Sequence, residues 1–200
     1  MIGRVEIRRS LEGAWLLFLN RAEAMRLFDL TVAGFWRSFQ AIILIAPLYA
    51  LTAIADERHV LTDSVVEVGF SEPAYILEKA LTLGIDWITF PILLAVVARA
   101  IGGERTYSAY VVARNWSAVV SAVPFGVIAL LTMLGVFSDS IGAILSLVTI
   151  AVVLRYNFII ARTALGVTIG LAVAVVVSDF LVSLLIANGM DVLFGVGDVS

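Results

Sequence analysis

The chain has 200 residues, 62% of them hydrophobic and only 14% charged, with a mean hydropathy of +1.06. Soluble domains are nearer half apolar and a quarter charged, and one this small cannot hide such an excess in its own core. A water-soluble globule is excluded, and the bilayer is the solvent that this composition fits. The net charge of −3 gives no basic surface for nucleic acid, and the lack of cysteine removes disulfides, thiol catalysis and cysteine-ligated metals. Arginine outnumbers lysine twelve to one, which points to a GC-rich bacterial genome.

The opening "MIGRVEIRRSLEG" is not followed by a short apolar core and a small-residue cleavage site, so it reads as no signal peptide. The first span is then expected to direct insertion. Residues 1–32 form a cytoplasmic amphipathic segment in which Leu11, Trp15 and Phe18, then Met25 and Phe28, recur at helical spacing opposite Arg8, Arg9, Glu12, Arg21 and Glu23. Asn20 and Glu23 have the spacing of a helix start. Two short helices are expected in the headgroup region, with Leu11, Trp15 and Phe18 as the interfacial anchor. The alternative is a helix packed under the bundle against protein.

Residues 33–200 hold five segments long and apolar enough to span a bilayer, at about 34–55, 80–98, 117–137, 140–158 and 163–187. The fold class is all-α, a polytopic membrane bundle of five transmembrane helices preceded by short amphipathic interfacial helices. The stretch "RYNFIIAR" is expected to turn the fourth span into the fifth. Counted by side, eleven basic residues lie with the N-terminus and only Arg58 and Lys79 lie opposite. Positive residues mark the cytoplasmic side. The N-terminus is therefore expected inside, the Asp56–Lys79 loop and C-terminus outside, and the membrane to be the inner, cytoplasmic one.

The first three spans carry Pro47, Pro91 and Pro124, which are expected to kink the helices, although transporters use such breaks as hinges. Asp86 and Asp179 lie inside the second and fifth spans, about 9 and 12 Å from their outer ends at about 1.5 Å per residue. Both fall in the outer half, with no Lys or Arg expected at that depth. Thr82 and Thr89 share a face with Asp86, and Ser183 shares one with Asp179. Either these groups relay a proton or cation, or they clasp helices together. Gly166, Gly170 and Ala174 form a small-residue face on the fifth span, suited to close packing against another helix, its own or a neighbour's. Asp56, Glu57, His59 and Asp63 suit a solvated acidic loop better than a metal site. "GVGD" at 195–198 matches an intramembrane aspartyl protease signature but lies at the chain end without a second aspartate partner.

The segments "LFLNRAEAMRLFDL", "ARAIGGERTYSAYVVARNWSAVVSAVPFGV" and "RYNFIIARTALG", set around five spans, resemble the Yip family of five-span membrane proteins, relatives of the Rab/Ypt-interacting proteins with prokaryotic members. The resemblance implies the fold, an N-inside topology and a role among other membrane proteins or in membrane shaping. It brings no catalytic residue. The "DLYGP" signature of eukaryotic members is absent, so a small-GTPase partner is not expected. The expected function is a non-enzymatic adaptor, scaffold or accessory subunit, with no cofactor and no metal. Its partners are the lipid bilayer and other integral membrane proteins or further copies of itself. The alternative is a small oligomeric transporter or channel, proton- or cation-coupled, using Asp86 and Asp179.

Overall fold

The computed structural model describes residues 3–63 and 72–195, and among them every regular element is helical. Helix α1 spans Arg4–Phe18. A two-turn 3-10 segment follows at Ala22–Leu27. The first span is built from α2 (Val32–Ser38), a short 3-10 link and α3 (Ile42–Asp63). Then come α4 (Glu72–Val97), α5 (Tyr107–Met133), α6 (Asp139–Ile160), which continues as a π-helical turn to Leu165, and α7 (Ile169–Phe194). Five of these segments have the length and apolarity of membrane spans. The described chain is thus an all-helical, five-span, multi-pass architecture.

Side-chain caps set several of the starts. Thr31 Oγ1 accepts from the Gly34 amide at 3.1 Å, Ser138 Oγ from Ile141 at 3.4 Å, and Thr168 Oγ1 from Leu171 at 3.4 Å. Gly34 is also where the backbone of Asp29 passes closely: a Cβ there would stand 2.2 Å from the Asp29 carbonyl oxygen. Pro47, Pro91 and Pro124 all lie inside continuous helices.

Three expectations on boundaries are corrected. Asn20 does not begin a second α-helix. It ends α1 in the left-handed conformation (φ 58°), with the Asn20 and Arg21 amides donating to the Leu17 and Leu16 carbonyls. The third span starts at Tyr107, ten residues before the expected 117, because Arg114 and Asn115 find buried partners inside the bundle. The fourth runs through "RYNFIIAR" to Leu165. The turn into α7 falls instead at Gly166, whose φ of 68° suits a residue without a Cβ.

Helix α1 packs on the bundle along one face. Its buried stripe is Ser10, Gly13, Ala14 and Leu17, and the hydroxyl of Tyr156 on α6 donates to the Ala14 carbonyl at 2.5 Å. Leu11 and Phe18 are half-buried on the flank and Trp15 is exposed, so the expected anchors edge the contact with the bundle. The central core runs along α5, where Tyr110 to Ala113 and Trp116 are buried among residues of α1, α3, α4, α6 and α7.

Candidate functional site: an intramembrane polar cluster

Asp86 on α4, Arg114 on α5, and Asp179 and Ser183 on α7 meet in the middle of the bundle. Helix rise puts Asp86 and Asp179 about 16 and 15 Å from the ends of their helices nearer α1. The expected outer-half placement is corrected to a central one, since both helices extend further than the hydropathy limits. Arg114 Nη2 donates to Asp179 Oδ1 at 2.8 Å, and Nε lies 3.4 Å from Oδ2, so the guanidinium forks onto the carboxylate. Both side chains are nearly sealed, at 12% and 11% exposure. The Arg114 guanidinium also stands 5.5 Å from the centre of the Phe90 ring on α4, a cation–π contact. An arginine at this depth was not expected from the sequence.

Asp86 is joined to α7 differently. Ser183 Oγ donates to Asp86 Oδ1 at 2.6 Å. Asp86 and Asp179 are close enough to repel each other, and Arg114 attracts both. The cluster therefore sets two acidic side chains against one guanidinium, with the Arg114–Asp179 pair sealed and Asp86 partly buried. Its two links, α5 to α7 and α4 to α7, pin the last span to the rest of the bundle.

The other expected site residues fall elsewhere. Thr82 donates to Glu78 Oε1 at 2.7 Å, and Thr89 donates to the carbonyl of Ile85, so neither serves Asp86. Ser183 serves Asp86 and not Asp179. Gly166 lies in the turn before α7, which breaks the expected three-residue face. Gly170 and Ala174 are in the helix but exposed, with nothing within 4 Å of a Cβ at Gly170. The buried stripe of α7 is instead Ala172, Val175, Val176 and Asp179.

Three further polar groupings went unread in the sequence. Glu78, expected in the outer loop, is fully buried in α4; Lys79 bridges its Oε2 (3.0 Å) to Asp191 on α7 (3.1 Å). Arg37 on α2 binds Glu6 of α1 at 2.9 Å and Asp29 at 2.5 Å, and Asn115 donates to Ser38 at 3.0 Å. The Glu78–Thr82 pair at helical spacing was the available signal for the first.

No group of three or more His, Asp or Glu side chains disposed for a metal occurs among the described residues. The His59 and Asp63 side chains, residues 64–71, and residues 196–200, which hold most of "GVGD", lie outside the described residues. The chain matches no protein-family model, no curated protein and no solved structure.

Proposed function

We propose that the protein is a non-enzymatic membrane adaptor or accessory subunit, related in plan to the five-span Yip proteins, that works by associating laterally with other membrane proteins or with further copies of itself. The observation that carries this reading is that both intramembrane acids join helices: Asp179 is held by Arg114 and Asp86 by Ser183. A carboxylate tied into a bidentate ion pair is poorly placed to hand on an ion. Arg114 and Asp179 therefore supply rigidity, and the lipid-facing surface supplies function. On that surface Gly170 and Ala174 lie exposed on one face of α7, unmatched within the described chain, where a second helix could approach closely. We place the protein in the cytoplasmic membrane with its N-terminus inside; removing Arg114 from the tally of loop charges leaves the imbalance strongly on the α1 side.

A second reading is favoured by one observation. Asp86 has Ser183 as its direct partner and shares Arg114 only at a distance, so a proton- or cation-coupled transporter would use Asp86 first. Reconstitution of the wild-type and Asp86→Asn proteins separates the two. The adaptor reading expects no cation or proton flux from either protein and the same stoichiometric membrane partner, or the same oligomer, after mild extraction. Flux through the wild type that Asp86→Asn abolishes, with assembly intact, would establish the transporter.

A further inference from the structure

Two concavities open at the α1 end of the bundle, and α6 walls both. One is an apolar groove of about 620 Å³ between α1, α5 and α6, with Leu11, Trp15, Phe18, Pro124 and Thr149 along it. That volume lies within the range of about 300–1,000 Å³ typical of sites for small organic ligands. The other is a hollow of about 510 Å³ bordered by Asn20, Arg155, Arg162 and Thr163. Along α6 the groove covers Val148 to Tyr156, and the hollow begins at Arg155. Along α1, Trp15 and Phe18 edge the groove, and Asn20 just past the helix end reaches the hollow. The Trp15–Phe18 stack and the edge-on Phe18–Tyr156 contact, each at 5.3 Å between centroids, wall the groove, and Arg155, next in the chain to Tyr156, borders the hollow.

The charge of the hollow has no acidic partner among the described residues. Arg155 is exposed and makes no ion pair among the described residues. Arg162, also exposed, donates to the Val167 carbonyl, which anchors the turn and leaves its positive charge unneutralised. With its π-helical turn the fourth span has 27 residues, so it is about 40 Å long against a hydrocarbon core of about 30 Å. Arg162 lies about 15 Å from the middle of that span, at the edge of the hydrocarbon, and Arg155, about 10 Å deeper, extends into the same hollow, since long arginine side chains snorkel towards the headgroups. An unpaired arginine at the edge of hydrocarbon calls for an anion.

We propose that the groove and the hollow form one site for an anionic phospholipid, with the headgroup phosphate on Arg155 and Arg162 and an acyl chain lying between α1, α5 and α6. The apolar groove accepts a tail of any lipid, and the arginines select the headgroup. A soluble phosphate would use the hollow and leave the groove empty, so the combination favours a lipid. This site is independent of the adaptor reading.

Trp15 on the groove reports occupancy. In full-length protein carrying Trp36→Phe it is the one well-exposed tryptophan left, because Trp87 and Trp116 are buried. That protein, in phosphatidylcholine vesicles, is titrated with phosphatidylglycerol or phosphatidylcholine brominated on the acyl chains. Each arginine near an anionic headgroup is worth roughly a fivefold preference, so phosphatidylglycerol should quench at a mole fraction lower by at least that factor. Arg155→Gln should cut the preference by about that factor and leave quenching by phosphatidylcholine unchanged. Thr149→Phe, which narrows the groove, should reduce quenching by both lipids. Excess glycerol phosphate in the buffer should displace neither. Equal quenching by the two lipids, a preference untouched by Arg155→Gln, quenching untouched by Thr149→Phe, or displacement by glycerol phosphate would each overturn the proposal.

Discussion

Two arginines in this chain each face two carboxylates, and their surroundings make them different devices. Arg114 sits with Asp179 and Asp86 in the middle of the bundle, with the Arg114–Asp179 pair about 90% covered. Arg37 sits with Glu6 and Asp29 at the α1 end, where the three side chains are 21–32% exposed. In the first, water cannot replace a lost partner, so breaking the pair strands a charge in a low-dielectric interior. In the second, water stands ready. The same donor–acceptor chemistry is thus a structural clasp at one depth and a weak latch at the other.

The largest effect should follow from breaking the buried pair on one side. Asp179→Leu strips Arg114 of its hydrogen-bonded partner in the sealed interior, leaving only the more distant Asp86, and should destabilise the bundle by about 3–5 kcal/mol. Unfolding in mixed micelles of increasing SDS fraction would measure this.

A smaller loss should follow at the contact of α1 with α6. Tyr156→Phe removes the hydroxyl that reaches the Ala14 carbonyl and leaves that carbonyl short of a donor, for about 1–2 kcal/mol. The readout is faster proteolysis within residues 4–18, with the five spans still resistant.

The least should come from the exposed latch. Arg37→Gln should cost less than either of the preceding changes and be partly masked by salt. Its pH dependence has a definite sign. Hydrogen bonds from Thr31 and the Arg37 charge hold the Asp29 carboxyl below its ordinary 3.8. The folded pKa is depressed, so this contribution is fully present above the ordinary value and is lost as the pH falls through the lowered one. Protease release of α1 should therefore be flat from pH 5 to 8 and rise only below about pH 4. A change near neutrality would show that another group governs the latch.

The contrast also explains what could be read in advance. Five runs of apolar residues are legible because a bilayer forces each span to carry its own apolarity. Their ends were not, because hydropathy scores a polar residue without knowing its partner. Arg114, Asn115 and Glu78 read as loop residues, yet each is buried with a partner on another element or beside it: Asp179, Ser38 and Lys79. Asp86 and Asp179 stood out as acids in apolar runs. Which hydroxyl serves which acid depends on helix rotation about the axis, and one sequence does not encode that openly. Gly166 looked like part of a packing face because its spacing to Gly170 is right for a helix. The turn that takes it out of the helix depends on a positive φ that spacing alone does not reveal.

A double-mutant cycle on Arg114 and Asp179 tests the clasp most directly. Arg114→Met, Asp179→Leu and the two together, each compared with wild type by SDS-titrated unfolding, isolate the coupling between the side chains. Each single change should cost about 3–5 kcal/mol, and the pair should recover most of it, because two well-packed apolar side chains replace a buried ion pair at little net loss. Oligomeric state and partner retention should return with the double variant. Single variants as stable as wild type, with no coupling and with loss of a measurable proton or cation flux, would contradict the account and assign the pair to transport.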